Sequence, residues 1–300
     1  MLTWIPVSIA AASFQTVRFM LQKVLSSVTL SPGGATFARF AYSAPIILAT
    51  LATYLAVTGQ SLPALSARFW AFASIGGTAQ ILATVCVVAL FKQRNFAVGI
   101  TFKKTEVIQT AIVGLIVLGD GISPWGWAAI LIGLSAVMVL SKTPDVQGAW
   151  WQHLTNRASV LGLGSGVLFA FSAVSYRGAS LQLGDLDPML RAGITLSAVV
   201  SLQTLFMLVW LTLREKGEIT RVWQARRVAV WVGLTSMAGS FCWFWAFTLQ
   251  NAAYVKALGQ IELVLSLLAS VLFFKEKISA REIIGMALLG LSILALVLAL

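Results

Sequence analysis

The stretch Glu106-Val-Ile-Gln-Thr-Ala-Ile-Val-Gly-Leu-Ile-Val-Leu-Gly-Asp120-Gly-Ile-Ser123 returns later in the chain in the same chemical terms, as Glu262-Leu-Val-Leu-Ser-Leu-Leu-Ala-Ser-Val-Leu-Phe-Phe-Lys-Glu276-Lys-Ile-Ser279. Each copy is one glutamate, an apolar run, an acidic turn and Ile-Ser before the next apolar run. The copies lie about 156 residues apart, and a fixed period is the signature of an internal repeat. At the same shift Pro32 meets Pro188, Gly77 meets Gly233, Cys86 meets Cys242, Phe91 meets Phe247, Asn95 meets Asn251 and Ala97 meets Ala253. Matches between Leu/Ala-rich segments arise readily by chance; a coincident intramembrane glutamate does not.

The composition says what kind of segment is repeated. Of 300 residues 59% are hydrophobic and 10% charged, and the mean hydropathy is +0.90. A soluble domain carries about 25% charged residues, so this chain lacks the charge to solvate a water-facing surface. Apolar stretches long enough to cross a bilayer fall at about 3–24, 33–58, 69–91, 96–118, 124–141, 159–182, 188–213, 227–249, 252–274 and 280–299. Pro32, Pro63, Pro124 and Pro188 stand at span starts or in connections, where proline is tolerated, and Pro45 falls mid-span, where it predicts a kink. The fold expected is all-α and polytopic, with ten transmembrane helices. Residues 1–142 form a first five-helix unit, 143–158 a cytoplasmic linker and 159–300 a second five-helix unit. Because five is odd, the second unit enters the membrane upside down, giving an inverted repeat of the kind whose binding sites lie between the halves near the midplane.

The formal net charge of +11 would suggest nucleic acid in a soluble protein; here it reports orientation. Connections after odd-numbered spans carry Lys92, Arg94, Lys142, Arg157, Arg214, Lys216, Arg221, Arg226, Arg227, Lys275, Lys277 and Arg281. Those after even-numbered spans carry Arg68 with Asp120, Asp185 and Asp187. By the positive-inside rule the odd connections are cytoplasmic and both termini lie outside. The first segment lacks a basic leader and is interrupted by Gln15, Arg18 and Gln22, so it reads as a span and not as a signal peptide. Cys86 and Cys242 fall inside spans and read as small buried residues. The lone His153 lies in a connection, and no His/Cys cluster suggests a metal.

Ionisable residues within spans are costly and mark function first. Lys103, Lys104 and Glu106 lie in the fourth span, with Lys103 and Glu106 as i,i+3 neighbours. The alternative is an ion pair that merely locks two helices. Lys256, Gln260 and Glu262 occupy the ninth, with Gly259 and Gln260 where the first half has Lys103 and Lys104. Gln15, Arg18 and Gln22 form one polar stripe in the first span, which faces a cavity or a partner helix. Tyr176-Arg177 sits deep enough to be a cavity candidate, whereas Arg39 and Arg191, near span ends, read as snorkelling to the interface. The run Phe241-Cys-Trp243-Phe-Trp-Ala-Phe247 is an aromatic wall or a helix-packing surface. Gly162-Leu-Gly-Ser-Gly166 permits close helix approach. No Walker sequence, HExxH or GxSxG is present, so neither ATP-driven pumping by this chain nor enzymatic catalysis is expected.

These residues resemble the EamA-type transporters of the drug/metabolite transporter superfamily over essentially the whole chain. The resemblance rests on Ser31-Pro32 with Arg39, Asn95-Phe-Ala-Val-Gly before Lys104-Thr-Glu106, and Gly119-Asp120-Gly-Ile-Ser. In the second half it rests on Asn251-Ala-Ala-Tyr-Val, Gly259-Gln-Ile-Glu262, Phe274-Lys-Glu276-Lys-Ile-Ser, Gly285 and Gly290. Both acidic turns depart slightly from the family's usual Gly-Glu, and the fourth span carries more charge than is usual. The resemblance implies a secondary active transporter, exporter or antiporter, working by alternating access in a bacterial-type inner membrane.

The substrate expected is a small metabolite such as an amino acid or organic acid, with protons as coupling ion, no cofactor and no catalytic residues. Glu106, Glu262, Lys103, Lys104, Lys256, Gln260, Arg18, Gln15, Tyr176 and Trp243 are the expected substrate-binding or coupling residues. Partners beyond solute and bilayer are not called for, and the chain is compatible with a monomer. The alternatives are an amphipathic drug exporter using the aromatic run, and a non-transporting membrane protein such as a lipid flippase or assembly partner.

Overall fold

A computed structural model describes residues 2–28, 30–90, 102–140, 157–265 and 280–298. The expectations for Lys92, Arg94, Asn95, Lys142, His153, Lys275, Glu276 and Lys277, and for nearly all of the 143–158 linker, lie outside these residues. Eleven helices are found among the described residues, and no strand. In chain order they are α1 Trp4–Val28, α2 Pro32–Thr58, α3 Ala67–Leu90, α4 Glu106–Leu118, α5 Pro124–Leu140, α6 Arg157–Leu181, α7 Pro188–Arg214, α8 Glu218–Gln224, α9 Arg226–Leu249, α10 Ala252–Gly259 and α11 Ala280–Leu298.

Five of them, α2, α3, α6, α7 and α9, are long and apolar enough to cross a membrane, and α4, α5 and Ile283–Leu298 of α11 are shorter apolar helices. α1 has the length, but its polar stripe lowers its hydropathy. Large apolar side chains such as Val57, Ile116, Trp125 and Leu213 are fully turned outward, as lipid-facing residues are.

The proline readings become visible as caps. Ser31 begins α2, its hydroxyl accepting from the Gly34 N–H at 2.9 Å, with Pro32 in the first turn. Asp187 begins α7 in the same way, its carboxylate accepting from Met189 and Leu190 at 2.9 and 3.2 Å, with Pro188 following. A proline has no N–H to satisfy at that position and its fixed φ suits helix entry. Both helices are 27 residues long, and α2 runs unbroken through Pro45. The start of α2 also receives Glu218, which accepts from the Ser31 N–H at 2.5 Å, and Glu215, bonded to the Ser31 hydroxyl. Carboxylates suit a helix N-terminus. These two, Glu215 just after α7 and Glu218 at the start of α8, were not singled out in the sequence, where the segment around them reads as basic.

The helices pack in matched pairs. α3 lies along α6, α1 along α9, and α5 along α11, with α2 against both α7 and α9. The main core runs through Ala11, Ala173, Tyr176, Val199, Phe244 and Ala253, and a second cluster gathers Leu25, Phe37, Phe40, Val88, Met207 and Leu211.

Two of the expected spans, the fourth and the ninth, are not continuous helices over their described residues. The fourth and ninth spans read as continuous helices over 96–118 and 252–274. The structure interrupts each with a two-residue turn, Lys104-Thr105 in one and Gln260-Ile261 in the other. At both turns the hydrogen bonds shorten in register to i→i−3: Thr105 N–H to Phe102 O and Ile108 N–H to Thr105 O, then Gln260 N–H to Ala257 O, Ile261 N–H to Leu258 O and Leu263 N–H to Gln260 O. In each case a glutamate, Glu106 or Glu262, is the first residue after the turn. A carboxylate there meets the positive end of the resuming helix. Interrupted helices at membrane depth are tolerated where the irregular backbone is enclosed by protein or lines a cavity.

Candidate functional site

The two interruptions face each other, and their charges pair crosswise. Lys104, on the first, bonds Glu262, on the second. Lys256, one turn before the second, lies 3.6 Å from Glu106. Lys103 closes the arrangement at 3.4 Å from Glu106. Gln15 of α1 extends it: its amide N–H donates to Glu262 at 2.7 Å, and its carbonyl accepts from the Trp243 indole N–H at 3.1 Å. The cations are further held by aromatic faces. Lys256 Nζ lies 5.1 Å from the Trp243 ring centre and 5.4 Å from that of Phe169, and Lys103 Nζ lies 5.1 Å from Phe169 and 5.7 Å from Phe19. Such contacts gain strength when desolvated.

Beside this network is a narrow crevice, lined among others by Gln15, Arg18, Arg39, Tyr176, Trp243 and Lys256. Of the residues singled out in the sequence, Gln15, Arg18, Tyr176, Trp243 and Lys256 form its wall. Glu106, Glu262, Lys103 and Lys104 stand directly behind, joined to the wall through Lys256 and Gln15. Gln260 and Lys104 border a separate small pocket with Val107, Ile130 and Ser292.

The polar stripe of α1 splits its duties. Gln15 and Arg18 face the crevice. Gln22 accepts from Arg18 at 2.8 Å and donates to the Ala35 carbonyl of α2 at 3.1 Å, so it serves a helix contact as well. Tyr176 donates to the Gln80 carbonyl oxygen at 2.9 Å, accepts from Gln203 at 3.2 Å and stacks on Phe244 at 4.2 Å. Its neighbour Arg177 turns elsewhere, to Asp120 at 2.7 Å and to the Phe247 and Gln250 carbonyls at 2.9 Å each. It therefore ties the end of α9 to the α4–α5 turn. The aromatic run is divided too: Trp243, Phe244 and Phe247 line the crevice, while Phe241 lines an apolar pocket between α2 and α7. Cys86 and Cys242 are free thiols.

Arg39 corrects the sequence reading. It does not snorkel. Its side chain is 4% exposed and turned inward to the crevice, where its guanidinium donates to Ser236 at 2.6 Å, Thr84 at 3.3 Å and Ser240 at 3.0 Å. Position along the span, two turns from Pro32, suits either direction; three hydroxyls waiting on α3 and α9 decide it. The spacing of Ser236 and Ser240, one helical turn apart on one face, is the signal that could have located this partner. Arg191 is half-buried and donates to the Ser180 carbonyl at 2.9 Å.

Five cations, Arg18, Arg39, Lys103, Lys104 and Lys256, are thus buried around two carboxylates, Glu106 and Glu262. Burying charge without a counter-charge is expensive, and among the described residues the cations here outnumber the carboxylates. No group of His, Cys, Asp and Glu suited to a metal is present among the described residues.

Residues 156–298 match the model of the EamA-like transporter family. No curated protein matches the chain. A solved structure described as "Crystal structure of protein" shares 16% identity with it at a TM-score of 0.68, over 97% of this chain and 99% of that one. At that identity the likeness is one of fold, and it extends over the first half of the chain as well as the second.

Proposed function

We propose, from the match of residues 156–298 to the model of the EamA-like transporter family, that this multi-pass membrane protein is a gradient-driven secondary transporter of a small solute carrying an anionic group, such as an organic acid or amino acid. The observation that carries the reading is the crevice walled by Arg18, Arg39 and Lys256, where helices of both halves converge and buried cations outnumber carboxylates. Solute charge would complete a site that is incomplete electrostatically without it.

The mechanism proposed is alternating access between two inverted five-helix units, residues 1–142 and 159–300. Support comes from the matched helix pairs, the equal lengths of α2 and α7, and the two interruptions one repeat apart. Interrupted helices at the repeat interface are where secondary transporters place substrate and ions. Glu106 and Glu262, with Lys103, Lys104, Lys256 and Gln260 around them, would couple movement to protons: a proton on either carboxylate releases a crosswise ion pair between the halves. The orientation proposed has the basic connections in the cytoplasm and both termini outside a bacterial-type inner membrane.

Proteoliposomes with an imposed pH gradient and a panel of metabolites test this. Gradient-dependent flux of an anionic solute is expected, lost in Glu106→Gln and in Lys104→Ala; if both variants transport normally, the site assignment fails. A second reading, export of amphipathic drugs, is favoured by the aromatic wall of Trp243, Phe244 and Phe247 and by the apolar pocket of α2 and α7. It expects resistance to lipophilic toxins that Trp243→Ala abolishes.

A further inference from the structure

The buried cations of the site are not equivalent. The three lysines are spoken for: Lys103 and Lys256 by Glu106, Lys104 by Glu262. The two arginines have no carboxylate partner among the described residues. Arg39 meets three hydroxyls, of Ser236, Thr84 and Ser240, and the face of Phe40. Arg18 meets the Gln22 carbonyl oxygen and the face of Phe19. A guanidinium has five N–H donors. Arg39 spends three, on Nε, Nη1 and Nη2, which leaves one N–H on each terminal nitrogen, the number a carboxylate bridges when it binds bidentately. Both arginines are nearly fully buried, 4% and 3% exposed, yet both line the crevice. The serines that hold Arg39 line the same crevice, as do the rings of Tyr176, Trp243 and Phe244.

We infer that Arg39, with Arg18 beside it, is the anion-receiving subsite of this crevice, and that the solute is an organic acid whose carboxylate docks on Arg39 while an apolar or aromatic body lies against Tyr176, Trp243 and Phe244. The inference rests on the transporter reading only for its biological meaning; the subsite itself is a matter of binding. It also narrows the solute class. An amino acid brings an ammonium that needs a free carboxylate. Glu106 and Glu262 are absent from the crevice wall and are engaged by lysines. Among the described residues the wall presents cations, hydroxyls, amides and rings, and no acid. A zwitterion would leave its ammonium unpaired there, at the cost any buried unpaired charge carries. Ser236 and Ser240 are positioning residues, acting through the orientation they give the guanidinium.

The test uses the full-length protein in lipid nanodiscs and four probes sharing one small scaffold: 3-phenylpropanoate, phenylalanine, phenethylamine and inorganic phosphate. Binding is read by tryptophan fluorescence and by ligand-induced thermal stabilisation. The expected order is 3-phenylpropanoate first, phenylalanine and phosphate each weaker, and phenethylamine not bound. Arg39→Gln should weaken 3-phenylpropanoate by about tenfold or more, the range of a charge-assisted bidentate contact. Arg39→Lys keeps the charge but loses the planar fork and should fall between. Ser236→Ala with Ser240→Ala, which leaves Arg39 in place, should weaken binding less than Arg39→Gln and serves if that variant does not fold.

Failure of 3-phenylpropanoate to bind, phenylalanine binding as tightly, or unchanged binding in both Arg39→Gln and the double serine variant overturns the inference. Flux in proteoliposomes separates it from the functional reading. Arg39-dependent binding without flux of any solute would leave the subsite standing and remove the transporter, whereas flux of an anionic solute indifferent to Arg39 would do the reverse.

Discussion

The two interrupted spans are the same device carrying different loads. Each breaks over two residues, Lys104-Thr105 and Gln260-Ile261, and each resumes on a glutamate. On the first, two lysines precede the glutamate. On the second, the matching positions are Gly259 and Gln260, with the cation moved back one turn to Lys256.

Packing explains the substitution. A Cβ on Gly259 would run into the six-membered ring of Trp243, so a side chain there is excluded. The residue matching Trp243 in the first half is Val87, which packs in a cluster with Phe19 and Phe169, the rings that face Lys103. A small residue on one side leaves room for a lysine; an indole on the other forbids it and supplies a ring face for Lys256 instead. The two segments therefore share the backbone break and the carboxylate, while side-chain volume decides where the cations go. The two breaks are alike in backbone and unlike in electrostatics: Glu106 serves two lysines, and Glu262 serves one lysine and an amide.

The largest consequence should be in the carboxylates. Glu106→Gln strands Lys103 and Lys256 together, and removing one partner of a buried pair costs about 3–5 kcal/mol. Glu262→Gln strands Lys104 alone and keeps an amide to face Gln15, so its loss should be clearly smaller. Thermal unfolding of the two variants in one detergent decides it, and equal losses would end the distinction drawn between the halves.

Next in size is Gly259→Ala, where overpacking against Trp243 should destabilise by about 1–3 kcal/mol. The same change made with Trp243→Leu should recover most of the loss. A double-mutant cycle with no coupling would show that the indole is not what keeps position 259 bare.

Smaller again is Thr105→Ala. Its hydroxyl donates to the Phe102 carbonyl at 2.7 Å and accepts from Gln109 at 3.0 Å, two bonds worth about 1 kcal/mol each. Ile261, at the matching place, has no hydroxyl to lose. Thr105→Ala should lower hydrogen-exchange protection around its own turn, and Ile261→Ala should produce no comparable loss around residue 261.

Much of this was legible beforehand and some was not, for identifiable reasons. Pro32 and Pro188 announced helix starts because proline fits only there or in turns, and both were found capped. Glu106 and Glu262 stood out because a glutamate in an apolar run has a cost that demands a reason. The breaks beside them did not stand out: Lys104-Thr105 contains neither glycine nor proline, and Gln260-Ile261 has a glycine only alongside. The direction of Arg39 was equally hidden, since its stem can reach the interface or the interior from the same Cα, and two of the three hydroxyls that draw it inward sit about 200 residues along the chain. Cys86 and Cys242 read as small buried residues; they are free thiols, and only half-buried.

Composition and periodicity alone determined that this chain is helical and membrane-embedded, and pointed to two half-length units with a glutamate in each. They could do so because the bilayer allows few ways to satisfy a backbone, so apolar length translates directly into helix. Which charges meet was decided by tertiary structure. Pairing Glu106 with Lys256, Lys104 with Glu262 and Arg39 with Ser236 depends on helix rotation and side-chain volume at contacts distant in sequence, and no local pattern encodes either.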